Sequence, residues 1–231
     1  MKLLAFDTST RWLTVGCGDG TSFVARAEDV GNRHSERLLP LIHALLAEAG
    51  FTLRTLDGIA FGAGPGAFTG VRIACGVAQG LALGSGRPLL PVCTLEAMAQ
   101  TAWHNHGATA VVPCLDARMR EVYAAAYRRG EGAWREVLPP SVQPPLALVA
   151  ADTGSDWFGA GDGFAAYPAL TTQLQLAAHD AATRPEARAI AELATPRFAA
   201  GEGVDAGAAR PLYVRHRVAL TTAERAAGAV L

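Results

Sequence analysis

Three stretches carry the side chains that could do chemistry. Asp7-Thr8-Ser9-Thr10 sets one carboxylate and three hydroxyls in a row behind a short apolar run. At a strand end, such a cluster can turn hydroxyls and backbone N–H groups toward a phosphate while the carboxylate holds a metal through water. The same letters also make a polar turn that satisfies its own backbone. The second stretch is Gly62-Ala63-Gly64-Pro65-Gly66-Ala67-Phe68-Thr69-Gly70-Val71-Arg72. Its glycines let backbone approach a ligand or another chain, and a helix starting near Thr69, its expected N-cap, offers free N–H donors to an anion. A ligand-free strand-to-helix connection fits equally well. Third come the histidines His34 (in His34-Ser35-Glu36), His104 and His106. None has a carboxylate or cysteine at metal-site spacing, which leaves them as polar loop residues and predicts no metal site.

The composition removes whole classes of chemistry. Of the 20 basic residues only Lys2 is a lysine, so P-loop, kinase and Schiff-base lysines are excluded. No nucleophile elbow of the G-x-S-x-G form is present, and no nucleophile–base pair supports a peptidase. The net charge of −1 argues against bulk polyanion binding, although Arg210, Arg215 and Arg217 with His216 form a basic group near the C-terminus. The four cysteines are scattered, as buried thiols in a reducing compartment would be. The opening apolar run is too short for a signal peptide and no stretch is long enough to span a membrane, so a soluble, cytoplasmic protein is expected.

Positioning these residues requires a repeated set of elements. The first half reads as a strand over 3–6, a hairpin of 14–17 and 21–25 around Asp19-Gly20, a helix over 35–49, a strand over 58–62 and a helix over about 69–83. Pro40 predicts a late start or a kink in the first helix. The second half repeats the grammar: a strand over 110–115 ends at Asp116, and a hairpin of 121–128 and 133–138 surrounds Gly130-Glu131-Gly132. Phe158-Gly159-Ala160-Gly161-Asp162-Gly163 then echoes Phe61-Gly62-Ala63-Gly64-Pro65-Gly66. Two echoes in one order indicate a duplicated unit. A linker is expected near 104–109 and a surface crossing over the proline-rich 138–145.

The helix after the glycine loop carries Gly76, Gly80 and Gly84 every fourth residue, beside Ala74, Ala78 and Ala82. Each glycine in a helix costs about 1 kcal/mol relative to alanine, so a flat face must benefit something. That is either the chain's own sheet or an outside partner helix.

The ordered set Asp7-Thr8-Ser9, His34-Ser35-Glu36-Arg37-Leu38-Leu39-Pro40, Gly64-Pro65-Gly66-Ala67-Phe68-Thr69-Gly70-Val71-Arg72, Thr94-Leu95-Glu96-Ala97, Leu115-Asp116-Ala117-Arg118 and Pro211-Leu212-Tyr213-Val214-Arg215 resembles the bacterial TsaB family of tRNA threonylcarbamoyladenosine biosynthesis. The resemblance implies an α/β fold of the duplicated actin/sugar-kinase/Hsp70-like (ASKHA) type, two similar subdomains each with a mixed sheet and flanking helices. The expected division is 1–105 and 106–231, the last segment packing back on the first subdomain.

It also implies a non-catalytic scaffold that heterodimerises with a TsaD-like catalytic subunit and works with a TsaE-like ATPase. The assembly modifies the adenosine next to the anticodon (t6A), tRNA being met indirectly and ATP, ADP and Mg belonging to the partners. A homodimer is possible in isolation. By resemblance the contact uses the first two helices, which gives an interface of Leu38, Leu41, Ile42, Leu45, Ala74, Gly76, Val77, Ala78, Gly80, Leu81 and Gly84. Pro65, Thr69, Gly70 and Arg72 belong to the motif loop. Two departures stand out: His34 lacks the H-x-x-x-H frame of the family's catalytic partner, and Ser9 stands where the fold's phosphate loop usually has glycine. The alternative reading is an ATP-dependent phosphotransferase or ATPase, with Asp7, Thr8, Ser9, Gly64, Gly66 and Asp116 around the nucleotide.

Overall fold

The computed structural model describes residues 1–149 and 156–215. One five-stranded sheet holds β1 (Leu3–Asp7), β2 (Trp12–Gly18), β3 (Phe23–Asp29), β4 (Gly58–Gly64) and β5 (Leu89–Cys93) in the order β3-β2-β1-β4-β5. The other holds β6 (Ala110–Asp116), β7 (Val122–Gly130), β8 (Ala133–Gln143), β9 (Phe158–Ala160) and β10 (Ala178–Asp180) in the order β10-β9-β6-β7-β8. Each sheet is an antiparallel meander of three strands whose first strand also pairs in parallel with the fourth, and the fourth with the fifth. One topology occurs twice, which is the duplicated ASKHA-type α/β fold.

The central strand β1 is buried at all five positions, as expected for a strand covered on both faces. Its alternation assigns the two cores. Leu4 and Phe6 pack with α1 (His34–Glu48) and α2 (Phe68–Ser85), while Leu3 and Ala5 pack with Ala97 of α3 (Thr94–His106) and, beyond the short α4 (Gly163–Ala166) and α5 (Ala169–Gln173), with Ile190 and Ala194 of α6 (Ala187–Ala199). So α6, from the second half of the sequence, covers the first sheet. α3 also reaches the second core, where Leu95 and Met98 meet Val111 and Leu115.

Several local expectations change. The first turn is a four-residue loop, Asp19–Ser22, because the Asp19 carboxylate accepts from the Thr21 N–H (3.0 Å), the Thr21 hydroxyl (2.7 Å) and the Ser22 N–H (3.2 Å). α1 starts at His34, six residues before Pro40, rather than late, since burial of Leu38, Leu41, Ile42 and Leu45 outweighs the one backbone bond Pro40 cannot make. α2 starts at Phe68 with Ala67 as N-cap and no side-chain cap, so Thr69 does not cap it. The proline-rich 138–145 is mostly strand: β8 continues through Pro139 and Pro140 because it is the sheet's edge, where a missing N–H is tolerated. The first half of the expected linker over 104–109 is helix, α3 running to His106 before Gly107 closes it in the left-handed conformation. No described helix is long and apolar enough to cross a membrane.

Candidate functional site

Two surfaces carry the candidate residues: the cleft between the subdomains and the outer side of α1 and α2. At the cleft, Asp7 and Thr8 are fully buried. The Asp7 carboxylate accepts from the Ser9 N–H (2.6 Å), the Ser9 hydroxyl (2.7 Å) and the Thr94 hydroxyl (3.1 Å), and burial raises its pKa. The Thr8 hydroxyl donates to the Gly70 carbonyl at 2.7 Å. The polar-turn reading therefore describes this cluster, and the expectation that Asp7 and Thr8 face a nucleotide is corrected: their groups are spent inside the chain.

The glycine loop has the same explanation. A Cβ at Gly62 would run into the Asp7 carboxylate, at Gly66 into Ser9 and at Gly70 into the Thr8 carbonyl. The Ala67 N–H, at the start of α2, donates to the Ser9 carbonyl at 2.7 Å. The glycines bring the loop onto the chain's own first turn, and buried Gly64 and Pro65 lie behind it. Of the six nucleotide candidates, only Ser9, Gly66 and Asp116 line the cleft, a cavity of about 270 Å³. Opposite them, Asp162 accepts from the Asp116 N–H (3.0 Å) and Asp116 pairs with Arg118 (3.0 Å). Burial raises the Asp162 pKa and nearby Asp116 adds to it. Arg118, Met119 and Arg120 all lie in the left-handed region, at φ 58°, 54° and 59°, and stand exposed at the cleft mouth. Left-handed geometry costs a non-glycine residue about 1 kcal/mol or more, so this turn is held by its surroundings.

The outer face separates the interface candidates into two sets. Leu38, Leu41, Leu45, Ala74 and Ala78 are at most 6% exposed and belong to the chain's own core, so an outside contact by these five is corrected, whereas Ile42, equally buried, also borders the groove beside α2. Gly76, Gly80 and Gly84 are exposed, and a Cβ at any of them meets nothing within 4 Å. Val77 and Leu81 are half-buried beside them. The row therefore faces outward rather than onto the chain's own sheet. Beside it, an open groove of about 690 Å³ between α1 and α2 is lined by Leu39, Ile42, Leu46, Phe51, Leu81 and Gly84, among others.

A protein from Escherichia coli called tRNA threonylcarbamoyladenosine biosynthesis protein TsaB is 38% identical over 95% of this chain and 96% of its own length. The chain belongs to the TsaB family. A Haemophilus influenzae TsaB protein is 38% identical over 94% of this chain and 95% of its own. The model of the family TsaD, tRNA N6-adenosine threonylcarbamoyltransferase, matches residues 27–221. Among solved structures, an uncharacterized Pseudomonas aeruginosa protein with similarity to peptidase YeaZ superposes with a TM-score of 0.87 at 43% identity, covering 93% of this chain and 99% of that one. A second structure, YeaZ from Pseudomonas aeruginosa, gives a TM-score of 0.85 at 41% identity over 92% and 99%.

In this TsaB-family chain the outward row of α2 runs on, at the same four-residue spacing, into Arg72 and Phe68. Arg72 lies 3.8 Å over the Phe68 ring and donates to the Tyr213 hydroxyl at 2.9 Å. Neither Phe68 nor Tyr213 stood among the sequence candidates, though counting back in fours from Gly76 reaches Phe68. Tyr213 belongs to a strap that pairs with β5 through Val204, donates the Leu212 N–H to Ala63 (2.7 Å) and includes Arg215. Arg215 bonds the Ala117 carbonyl (3.0 Å) and Glu121 (2.6 Å), so the strap ties α2 to the second subdomain. Arg210 bonds local carbonyls, while His216 and Arg217 of the basic group lie outside the described residues. The histidines are placed individually: His34 is buried with Nε2 unpartnered among the described residues, His104 pairs with Glu192 (2.7 Å), and His106 pairs with Asp180 (3.0 Å). The four thiols are free, and burial pushes Cys114 up to about 12.

Proposed function

We propose that the chain is a non-catalytic, cytoplasmic subunit of the machinery that makes threonylcarbamoyladenosine in tRNA, activating a TsaD-like catalytic subunit by heterodimerising with it. The names carried by its full-length relatives support the pathway. The single observation that supports docking is the outward glycine row of α2. Among the described residues, three helical glycines have no neighbour to accommodate, yet cost about 1 kcal/mol each. A partner helix lying along Gly76, Gly80 and Gly84 recovers that cost through close backbone approach. The adjoining groove receives the partner's apolar side chains. A TsaE-like ATPase joins the pair, and nucleotide and metal are held by the partners. The subdomains, divided near 105, serve as a rigid platform.

The test is reconstitution with the TsaD-like subunit, the ATPase, tRNA, threonine, bicarbonate and ATP. Modified adenosine should form only when this chain and the catalytic subunit are both present. Gly80→Leu should abolish co-purification with the catalytic subunit while the chain stays folded. Modification by this chain alone, or wild-type affinity in Gly80→Leu, would overturn the proposal.

A further inference from the structure

Three stretches far apart in the sequence meet at the cleft end of α2. Phe68 and Arg72 open that helix, residues 117–121 turn between β6 and β7 at the cleft mouth, and Tyr213 and Arg215 lie in the strap.

The turn is the strained member. Arg118, Met119 and Arg120 are consecutive non-glycine residues in the left-handed region. A residue with a Cβ favours the right-handed form, so such a run relaxes unless neighbouring groups hold it. Two backbone bonds close it: the Ala117 N–H donates to the Glu121 carbonyl and the Glu121 N–H to the Arg118 carbonyl, both at 3.0 Å. The Asp116 carboxylate, just before the turn, accepts from the Arg118 N–H at 2.9 Å. From the strap, the holder is Arg215, whose side chain is only 11% exposed. Among the described residues, every hydrogen bond of that side chain ends on this turn: on the Ala117 carbonyl (3.0 Å), the Glu121 carboxylate (2.6 Å) and the Met119 sulfur (3.5 Å). One rigid, planar set of donors thus spans the turn from its first residue to its last.

Arg215 in turn hangs on few supports. The strap is fastened to α2 by the Gln79 amide, which donates to the Ala209 carbonyl at 3.2 Å, and to β4 by the Leu212 N–H on the Ala63 carbonyl at 2.7 Å. Past Leu212, residues 213–215 make no backbone hydrogen bond among the described residues. The polar tether between Leu212 and Arg215 is the Tyr213 hydroxyl, which accepts from Arg72 Nε at 2.9 Å, while the Tyr213 ring lies 5.8 Å from that of Phe68. Phe68 and Tyr213 are 43% and 45% exposed, so this tether sits on the surface, in line with the outward row of α2.

We infer that strap and turn form a latch: the Phe68–Arg72–Tyr213 stack on the outside of α2 seats Arg215, and Arg215 keeps residues 118–120 left-handed at the cleft mouth. The turn is the two-state element, right-handed backbone being its default once Arg215 leaves. A contact that binds the stack as it stands favours the latched state, and one that needs Tyr213 elsewhere favours the other. Arg118 lines the cleft, so the cleft wall changes with the state. The latch is a property of the chain alone and needs no partner.

Amide hydrogen exchange of the full chain, followed by NMR, reads the latch at the Ala117 and Glu121 N–H groups, whose bonds close the turn. Arg215→Gln should speed exchange at both at least tenfold. Tyr213→Ala, which removes the seat on α2, should speed both at least fivefold, and Arg72→Leu, at the far end of the relay, at least threefold. Exchange in β1 should stay at its wild-type rate, which separates release of the latch from general loosening. Should a variant lower the melting midpoint, the ratio of turn exchange to β1 exchange carries the same comparison. Unchanged exchange at Ala117 and Glu121 in Arg215→Gln would overturn the latch. A response to Arg215→Gln with none to Tyr213→Ala or Arg72→Leu would overturn the relay from α2, and with it the proposal.

Discussion

Gly64 and Gly161 occupy equivalent points of the two sheets. Each closes or follows the strand that runs parallel to the first strand of its sheet, and their φ angles are 106° and 116°. A Cβ at Gly161 would run into the Cys114 carbonyl and Met98, and one at Gly64 would come within 2.9 Å of the Leu212 carbonyl. Gly161→Ala should therefore destabilise the chain by about 1–3 kcal/mol through strain alone. Gly64→Ala should cost less, because its obstacle is the strap rather than a sheet strand. Urea unfolding midpoints of the two variants check the order.

The glycine row of α2 predicts the opposite sign. At Gly76, Gly80 and Gly84 none of the described residues places an atom within 4 Å of an added Cβ, the helix's own backbone aside. Each Gly→Ala change in an exposed helix should stabilise the isolated chain by about 0.5–1 kcal/mol. The triple variant should melt at a higher temperature than the wild type and yet bind the catalytic subunit more weakly. Differential scanning calorimetry and a binding titration read the two effects separately.

The duplication was legible because it rests on local letters. The Phe61–Gly66 and Phe158–Gly163 echoes mark β4 and the strand β9 with its following turn, and Asp7 and Asp116 end β1 and β6. What stayed hidden depended on tertiary context. β5 and α3 lie in a stretch whose apolar residues face two cores at once, so no single periodicity stands out. β10 has three residues at a sheet edge. The site was legible in part. The outward direction of the glycine row could not be chosen from spacing, since an inward row has the same period. Asp7 read as a ligand holder because a sequence cannot show that Ser9 and Thr94 already use its oxygens.

Asp19 supplies a pH prediction. Hydrogen bonds from Thr21 and Ser22 hold its carboxyl down at about 2, against an ordinary value of 3.8. A lowered folded-state pKa gives stability that is present above about pH 4 and lost as pH falls through about 2. Carbon-detected NMR should place the Asp19 midpoint near 2, and Asp19→Ala should flatten the acid limb of the stability profile. Asp7 acts in the other direction. Burial raises its pKa, so its contribution is full below the ordinary value of 3.8 and declines as pH rises through the folded value. Asp7→Asn should remove that decline.

Asp7→Ala distinguishes an internal strut from a nucleotide ligand. Removing the carboxylate leaves the Ser9 N–H, the Ser9 hydroxyl and the Thr94 hydroxyl without their shared acceptor in a fully buried site. Unsatisfied buried groups of this kind cost about 1–3 kcal/mol each when nothing relaxes, and a net loss of about 2–4 kcal/mol is expected here. The loss should appear in the isolated chain without any ligand, because Asp7 links β1 to the start of α3 through Thr94. Adding Mg-ATP should move the melting midpoint of wild type and variant equally, since Asp7 is sealed from the cleft. A stabilisation by Mg-ATP that vanished in Asp7→Ala would instead assign the carboxylate to a nucleotide site.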